Sequence, residues 1–204
     1  MPLLKRTILI AFFCMPLLLP AQSKEKKEKE SQFIREYFTI DPESLSPDEI
    51  IQKLKKNMQL TIDSLRPHTD TSFMYIKAHS TGYNPFGISI KKLELIFVES
   101  ALYSTRQKRP LDTILTLRIT GVTDSTESSK HVIKDEFKRI NKILSDLSEL
   151  TFYNEPDKKS KLYSESYNYF SGSLLFPKLI LTSEVYYPDK KTYCISLEIK
   201  LAID

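Results

Sequence analysis

Of the side chains in this 204-residue chain whose types can do acid–base or metal chemistry, four stand out by position: His68, His79, His131 and Glu99. A metal centre needs ligands at fixed spacings, and the chain has no HExxH pair and no cysteine pair, so no metal is expected. No serine stands in GxSxG, and the glycine patterns that cradle nucleotides are absent. With only four glycines in the chain, the backbone positions that let a loop wrap a phosphate are scarce, and no cofactor is expected. Glu99 is the exception. In the run Leu93, Leu95, Phe97, Glu99, Ala101 a carboxylate falls in line with apolar residues, and if buried it would have a raised pKa and could act as an acid or base. The favoured reading is that a bulge turns it outward or that the strand leaves the core there.

Recognition chemistry has more candidates. Arg106, Lys108 and Arg109 fall in one hairpin loop, Lys158 and Lys159 follow the second helical segment, and Lys190 and Lys191 stand in the turn after Pro188. Brought together, these cations form a rim for an anionic lipid headgroup, a glycan or an acidic partner. Kept apart, they are ordinary solvated loop tips, diluted by Glu155, Asp157 and Asp189. The segment STGYNPFG, residues 80–87, holds two of the four glycines together with Tyr83 and Phe86. Two large rings there mean either a partner-binding tip or a lid folded over the core edge. A third candidate is the row Tyr163, Glu165, Tyr167, Tyr169, whose rings are an interface if exposed and cross-strand packing if they lie under a helix. Packing is the favoured reading.

What these groups can do depends on the elements that carry them. Ser46, Pro47, Asp48 and Glu49 supply an N-cap, a proline at the first helical position and a capping-box glutamate. Ile50, Ile51, Leu54, Met58, Ile62 and Leu65 follow at steps of three and four, which predicts a helix ending near Arg66 and Pro67. Strand-like runs come next at 72–78, 88–103 and 112–122. Ile133, Phe137, Ile140, Leu144 and Leu147 predict a second helix, starting between Asp124 and Lys130 and reaching about Glu149. Three further runs lie at 161–170, 174–187 and 192–203. The order α-β-β-β-α-β-β-β thus repeats at an offset of about 83 residues. One apolar stripe per helix and meandering strands with one apolar face predict an α+β two-layer sandwich, a single antiparallel sheet with both helices packed on it. If each meander runs up, down and up, the loops bearing the cations share one end of the sheet.

The amino terminus reads differently. Lys5 and Arg6 precede the apolar run Thr7–Leu19, too short for the roughly 20 residues a bilayer demands, so residues 1–23 are expected to be a cleaved signal peptide. Cleavage before Cys14 would instead give a lipoprotein, but Phe13 stands where that processing wants a small residue, and this is the weaker reading. Residues 24–45, which open KEKKEKES, are expected to be a charged tether and extended lead-in. Residues 46–204 are expected to be one domain with sub-units 46–122 and 123–204. Without the leader the chain carries 28 basic and 26 acidic residues, too balanced a set for nucleic-acid binding. No second apolar stretch reaches membrane length, so no transmembrane segment is expected in the mature chain. Cys194 remains as its single cysteine, read as a half-buried inert thiol.

These observations point to a non-enzymatic binding or assembly module of the bacterial cell envelope, periplasmic or secreted, whose partner is a protein or an anionic envelope component. Two alternatives stay open. One is an inhibitor or immunity-type protein docking on a secreted enzyme through Tyr83 and Phe86. The other is a hydrolase, which requires Glu99, His79 or His131 to meet in one pocket.

Overall fold

The computed structural model describes residues 25–41, 47–67, 73–104, 109–124, 126–147, 150–154, 163–172, 177–187 and 192–203. The leader and the cap at Ser46 lie outside the described residues.

Helix α1 spans residues 25–38. Phe33, Ile34, Tyr37 and Phe38 recur on one stripe of it and all four are buried, which is the spacing an amphipathic helix needs. The charged first half is largely exposed, with Glu25 and Lys29 paired one turn apart at 2.7 Å. The expected tether is therefore a helix: a charge run with no apolar face of its own becomes the solvated extension of an anchored one. Thr39 ends α1 with φ at 57°, and its N–H returns to the Arg35 carbonyl at 3.0 Å, a left-handed helix cap.

Helix α2 (Pro47–Met58) buries Ile50, Ile51, Leu54 and Met58. It stops at Met58 rather than near Arg66 because Gln59 turns left-handed at φ 52° and the Leu60 N–H bonds back to the Lys55 carbonyl at 3.3 Å. That is a Schellman stop made without glycine. Ile62 and Leu65 consequently belong to a strand, β1 (Thr61–Arg66). There follow β2 (Tyr75–Ser80), β3 (Lys92–Ser104) and β4 (Arg109–Val122), then α3 (Glu127–Leu147). A short strand absent from the sequence reading, β5 (Leu150–Asn154), precedes β6 (Tyr163–Gly172), β7 (Pro177–Tyr187) and β8 (Cys194–Ile203). All six expected strand runs and both expected helices are present, so the α+β architecture with helices on an antiparallel sheet holds. Each half contains four strands, not three.

The eight strands form one antiparallel sheet in the order β1-β2-β3-β4-β8-β7-β6-β5. Reading outward from its middle, each half lays down its last strand first. The seam is β4 against β8, registered through Leu117 opposite Ile199, and each half runs outward from it in the same strand order. Leu93, Leu95, Phe97, Leu115, Leu117, Ile119, Ile195, Leu197 and Ile199 point to one face and are buried. They share a single core with the apolar stripes of α1, α2 and α3. At about 25 cal/mol per Å² of apolar surface removed from water, this core is the main stabilising term.

Candidate functional site

Among the described residues no helix covers the second face of the sheet. Strand alternation sends the even-numbered residues of β4, β7 and β8 to it, and toward the middle of these strands they are polar: Thr116, Arg118, Thr120, Glu184, Ser196, Glu198 and Lys200. Arg118 lies at its centre. Its Nη2 donates to Glu184 Oε2 at 2.5 Å and to Ser196 Oγ at 3.3 Å, Glu198 approaches Nη1 at 4.0 Å, and the guanidinium carbon stands 5.6 Å from the Tyr186 ring centroid. Ser164 donates to the other Glu184 oxygen at 2.6 Å, and Thr120 and Ser196 hydroxyls bond at 2.9 Å. The network therefore ties β4, β6, β7 and β8 together. Beneath these longer side chains Ser196, Thr120 and Cys194 are buried. Burial pushes the Tyr186 hydroxyl above its usual range, and the neighbouring Cys194 adds to the effect.

The other half of this face continues the pattern. Lys92 bonds Glu94 at 2.6 Å, an interaction that raises the lysine above its usual value. His79 Nδ1 lies 2.7 Å from Asp63 Oδ1. These polar groups are held in pairs across or along the strands, an arrangement that presents ordered donors and acceptors to a partner. Among the described residues no group of His, Cys, Asp and Glu is arranged to hold a metal ion. No described helix is long and apolar enough to cross a membrane.

The basic residues singled out from the sequence fare otherwise. Arg106, Lys108, Lys158, Lys159, Lys190 and Lys191 lie outside the described residues, and of Arg109 only the backbone, the first residue of β4, is described. The strand ends flanking those loops are fixed, however. Ser104 pairs with Arg109 at one end of the β3/β4 ladder and Lys92 with Val122 at the other, while Val122 pairs with Cys194 and Cys194 with Tyr186. Ser104 and Arg109 thus lie at the end of the sheet opposite Asn154, Tyr163, Tyr187 and Cys194.

Tyr83 and Phe86 belong to a lid. Ser80 Oγ accepts the N–H groups of Gly82 and Tyr83 at 3.2 and 3.1 Å, and Asn84 Oδ1 accepts that of Phe86 at 3.1 Å, which curls the segment back on itself. Phe86 is only 4% exposed. Its ring lies where a Cβ on Gly121 would stand, at 2.8 Å, so β4 needs a glycine there. The Tyr83 hydroxyl reaches the carbonyls of Glu36 and Tyr37 on α1 at 3.2 and 3.3 Å, and burial, with Glu36 nearby, pushes it up to about 12.

Glu99 is not turned outward. It is buried on the core side and accepts the Met74 N–H at 3.2 Å, while its own N–H donates to the Met74 carbonyl at 2.9 Å, extending the β2/β3 pairing by one step. His79 sits opposite Glu94 on the other face, and His131 is exposed on α3, so the three do not meet. Tyr167 and Tyr169 pack as favoured, and the side chain of Tyr163 lies outside the described residues. Tyr169 is buried and donates to Asn141 Oδ1 at 2.7 Å, and the Tyr167 ring lies 5.7 Å from Phe137. Cys194 is buried rather than half-buried.

One cluster escaped sequence reasoning. The buried Glu136 on α3 accepts from Arg139 Nε and Nη2, both at 2.7 Å, and from the Gly87 N–H at 2.9 Å. Arg139 Nη2 also donates to the Tyr37 hydroxyl at 2.7 Å. This clasp joins α1, α3 and the lid. Only the i, i+3 spacing of Glu136 and Arg139 hints at it, a spacing common on any helix surface. Burial alone would raise the Glu136 carboxyl, but the hydrogen bonds of Arg139 and Gly87 and the arginine's charge outweigh it and hold the group below its ordinary 4.5. Replacing Arg139 by Met is expected to cost about 2 kcal/mol at pH 7, less than for a fully buried pair because the guanidinium is half-exposed. A carboxyl held below its unfolded value adds stability above that value and loses it as pH falls through the folded one. The gap between wild type and variant in urea titrations should accordingly narrow below about pH 4. A gap that does not change with pH would mean that packing, not charge, holds the clasp.

No family model, curated protein or solved structure matches the chain.

Proposed function

We propose that this chain is an exported, non-enzymatic binding or assembly module of the bacterial cell envelope that engages a protein partner through the helix-free face of its sheet. The carrying observation is the ordered network around Arg118 on that face. An antiparallel sheet can leave one side to water at no cost, yet here Arg118, Glu184, Ser164, Ser196 and Tyr186 are fixed in one constellation across four strands. Fixed polar groups beside aromatic surface suit recognition, since little side-chain freedom is lost on binding. The leader-like residues 1–23 support export. The inhibitor reading has lost its anchor with Phe86 buried, and the hydrolase reading has lost its convergent acid and base.

Two measurements test the proposal. Intact mass of the exported chain should show loss of residues 1–23, and a full-length chain confined to the cytoplasm would refute export. Photo-crosslinking residues placed at Lys77 and Asn168 on the helix-free face should trap the same discrete partner, whereas Lys53 and Lys142 on the helix side should trap none. The reverse pattern would move the binding surface to the helices.

A further inference from the structure

The two edges of the sheet differ. Strand β1 is guarded in the ways natural edges usually are: it bulges between Ile62 and Ser64, carries Asp63 and Arg66, and turns Asp63 toward His79. Strand β5, sequence LTFYN, has no charge, no proline and no register shift against β6. Its residues 151–154 are exposed on both faces, and Phe152 and Tyr153, at 50% and 42% exposure, are two of the most exposed large apolar side chains described. One ring stands on each side of the sheet. Phe152 is held edge-on to Phe170 with centroids 5.5 Å apart, and Tyr153 lies tilted against Tyr167 at 4.5 Å. Among the described residues no strand lies outside β5.

An open edge offers backbone donors and acceptors, so its complement is an extended strand. We infer that β5 pairs with β5 of a second copy of this chain, antiparallel and centred on Phe152, to give a two-fold dimer with a continuous sheet. Self-pairing suits this strand because it is uncharged, so a two-fold axis brings no like charges together. The chain already uses the same geometry internally, where β4 and β8 meet antiparallel with the helices of both halves on one face. The area sets the strength. The four half-exposed rings of a pair supply on the order of 400 Å², and five residues of backbone leave the total below the roughly 1,000 Å² typical of stable complexes. The association is therefore weak and rises with concentration.

Sedimentation of the purified full chain between about 10 μM and 1 mM should show the average mass climbing from monomer toward dimer, the range a sub-standard interface implies. Phe152→Lys should keep it monomeric throughout, and Leu65→Lys on the β1 edge should change nothing. If Phe152→Lys does not fold, Thr151→Lys serves the same purpose. Phe152→Cys should form an intermolecular disulfide under mild oxidation, because the two residues face each other at the axis, whereas Asn154→Cys should not. A wild-type chain that stays monomeric at the highest concentration overturns the inference, as does a dimer indifferent to the lysine variants. A dimer lost in Leu65→Lys instead would place the contact on the other edge. None of these outcomes bears on export, and a partner trapped at Lys77, far from β5, remains a separate test of the helix-free face.

Discussion

A chain lacking residues 25–38 is expected to show no cooperative unfolding transition. Phe33, Ile34, Tyr37 and Phe38 are all buried in the common core, and at about 1.5–3 kcal/mol each their removal forfeits stabilisation comparable to the 5–15 kcal/mol that holds a typical domain together. The loss extends beyond area, because the Tyr37 hydroxyl and the carbonyls of Glu36 and Tyr37 anchor Arg139 and the lid. Removing residues 24–31 alone should alter stability by less than about 0.5 kcal/mol, since the Glu25–Lys29 pair is exposed. Circular dichroism melts of the two truncations separate the cases. A sharp transition in the longer truncation would show that α1 is an ornament on a self-sufficient core.

Phe137→Ala should lower the unfolding free energy by about 3–5 kcal/mol, the cost of deleting a buried ring and leaving its cavity. Phe137 is buried between α3 and the sheet, with the Tyr167 ring against it. Phe137→Leu, which keeps most of the volume, should cost about 1 kcal/mol. Urea midpoints measure both. An unchanged midpoint in the alanine variant would mean that α3 does not face the sheet in solution.

Where the chain's periodicity is long and regular, sequence and structure agree. The stripe from Ile133 to Leu147 gives α3, and the alternation of Leu115, Leu117 and Ile119 gives the middle of β4. Three elements were hidden for separate physical reasons. In α1 the seven charges from Lys24 to Glu30 masked a helix whose anchoring residues come only afterwards. In α2 the apolar steps run on through Ile62 and Leu65, and the true stop is Gln59 in a left-handed conformation, which carries no glycine signal. Strand β5 is five residues long, too short for a period to register.

The candidate site shows the same division. Tyr167 and Tyr169 packed as their alternation suggested, but Glu99 stayed inside because the backbone of Met74 accompanies it, a pairing that no local pattern announces. The Arg118 network could not be read at all. Its members come from β4, β6, β7 and β8, with Arg118 and Ser196 separated by 78 positions, and only the register of the seam brings them together.

The seam also governs the order in which the sheet can be completed. Strand β8, residues 194–203, is the last of the eight in the chain, yet it sits in the middle of the sheet between β4 and β7. While the chain emerges from the ribosome, the first four strands can meander together, but β4 keeps an unpaired edge until β8 arrives from about 80 positions away. Long-range closure of this kind is slow. During that interval the most apolar strands of the protein are also its least protected, open to pairing with other nascent chains. A chain interrupted before Cys194 leaves two sticky half-sheets, whereas one interrupted within the first helix leaves nothing able to aggregate through strands.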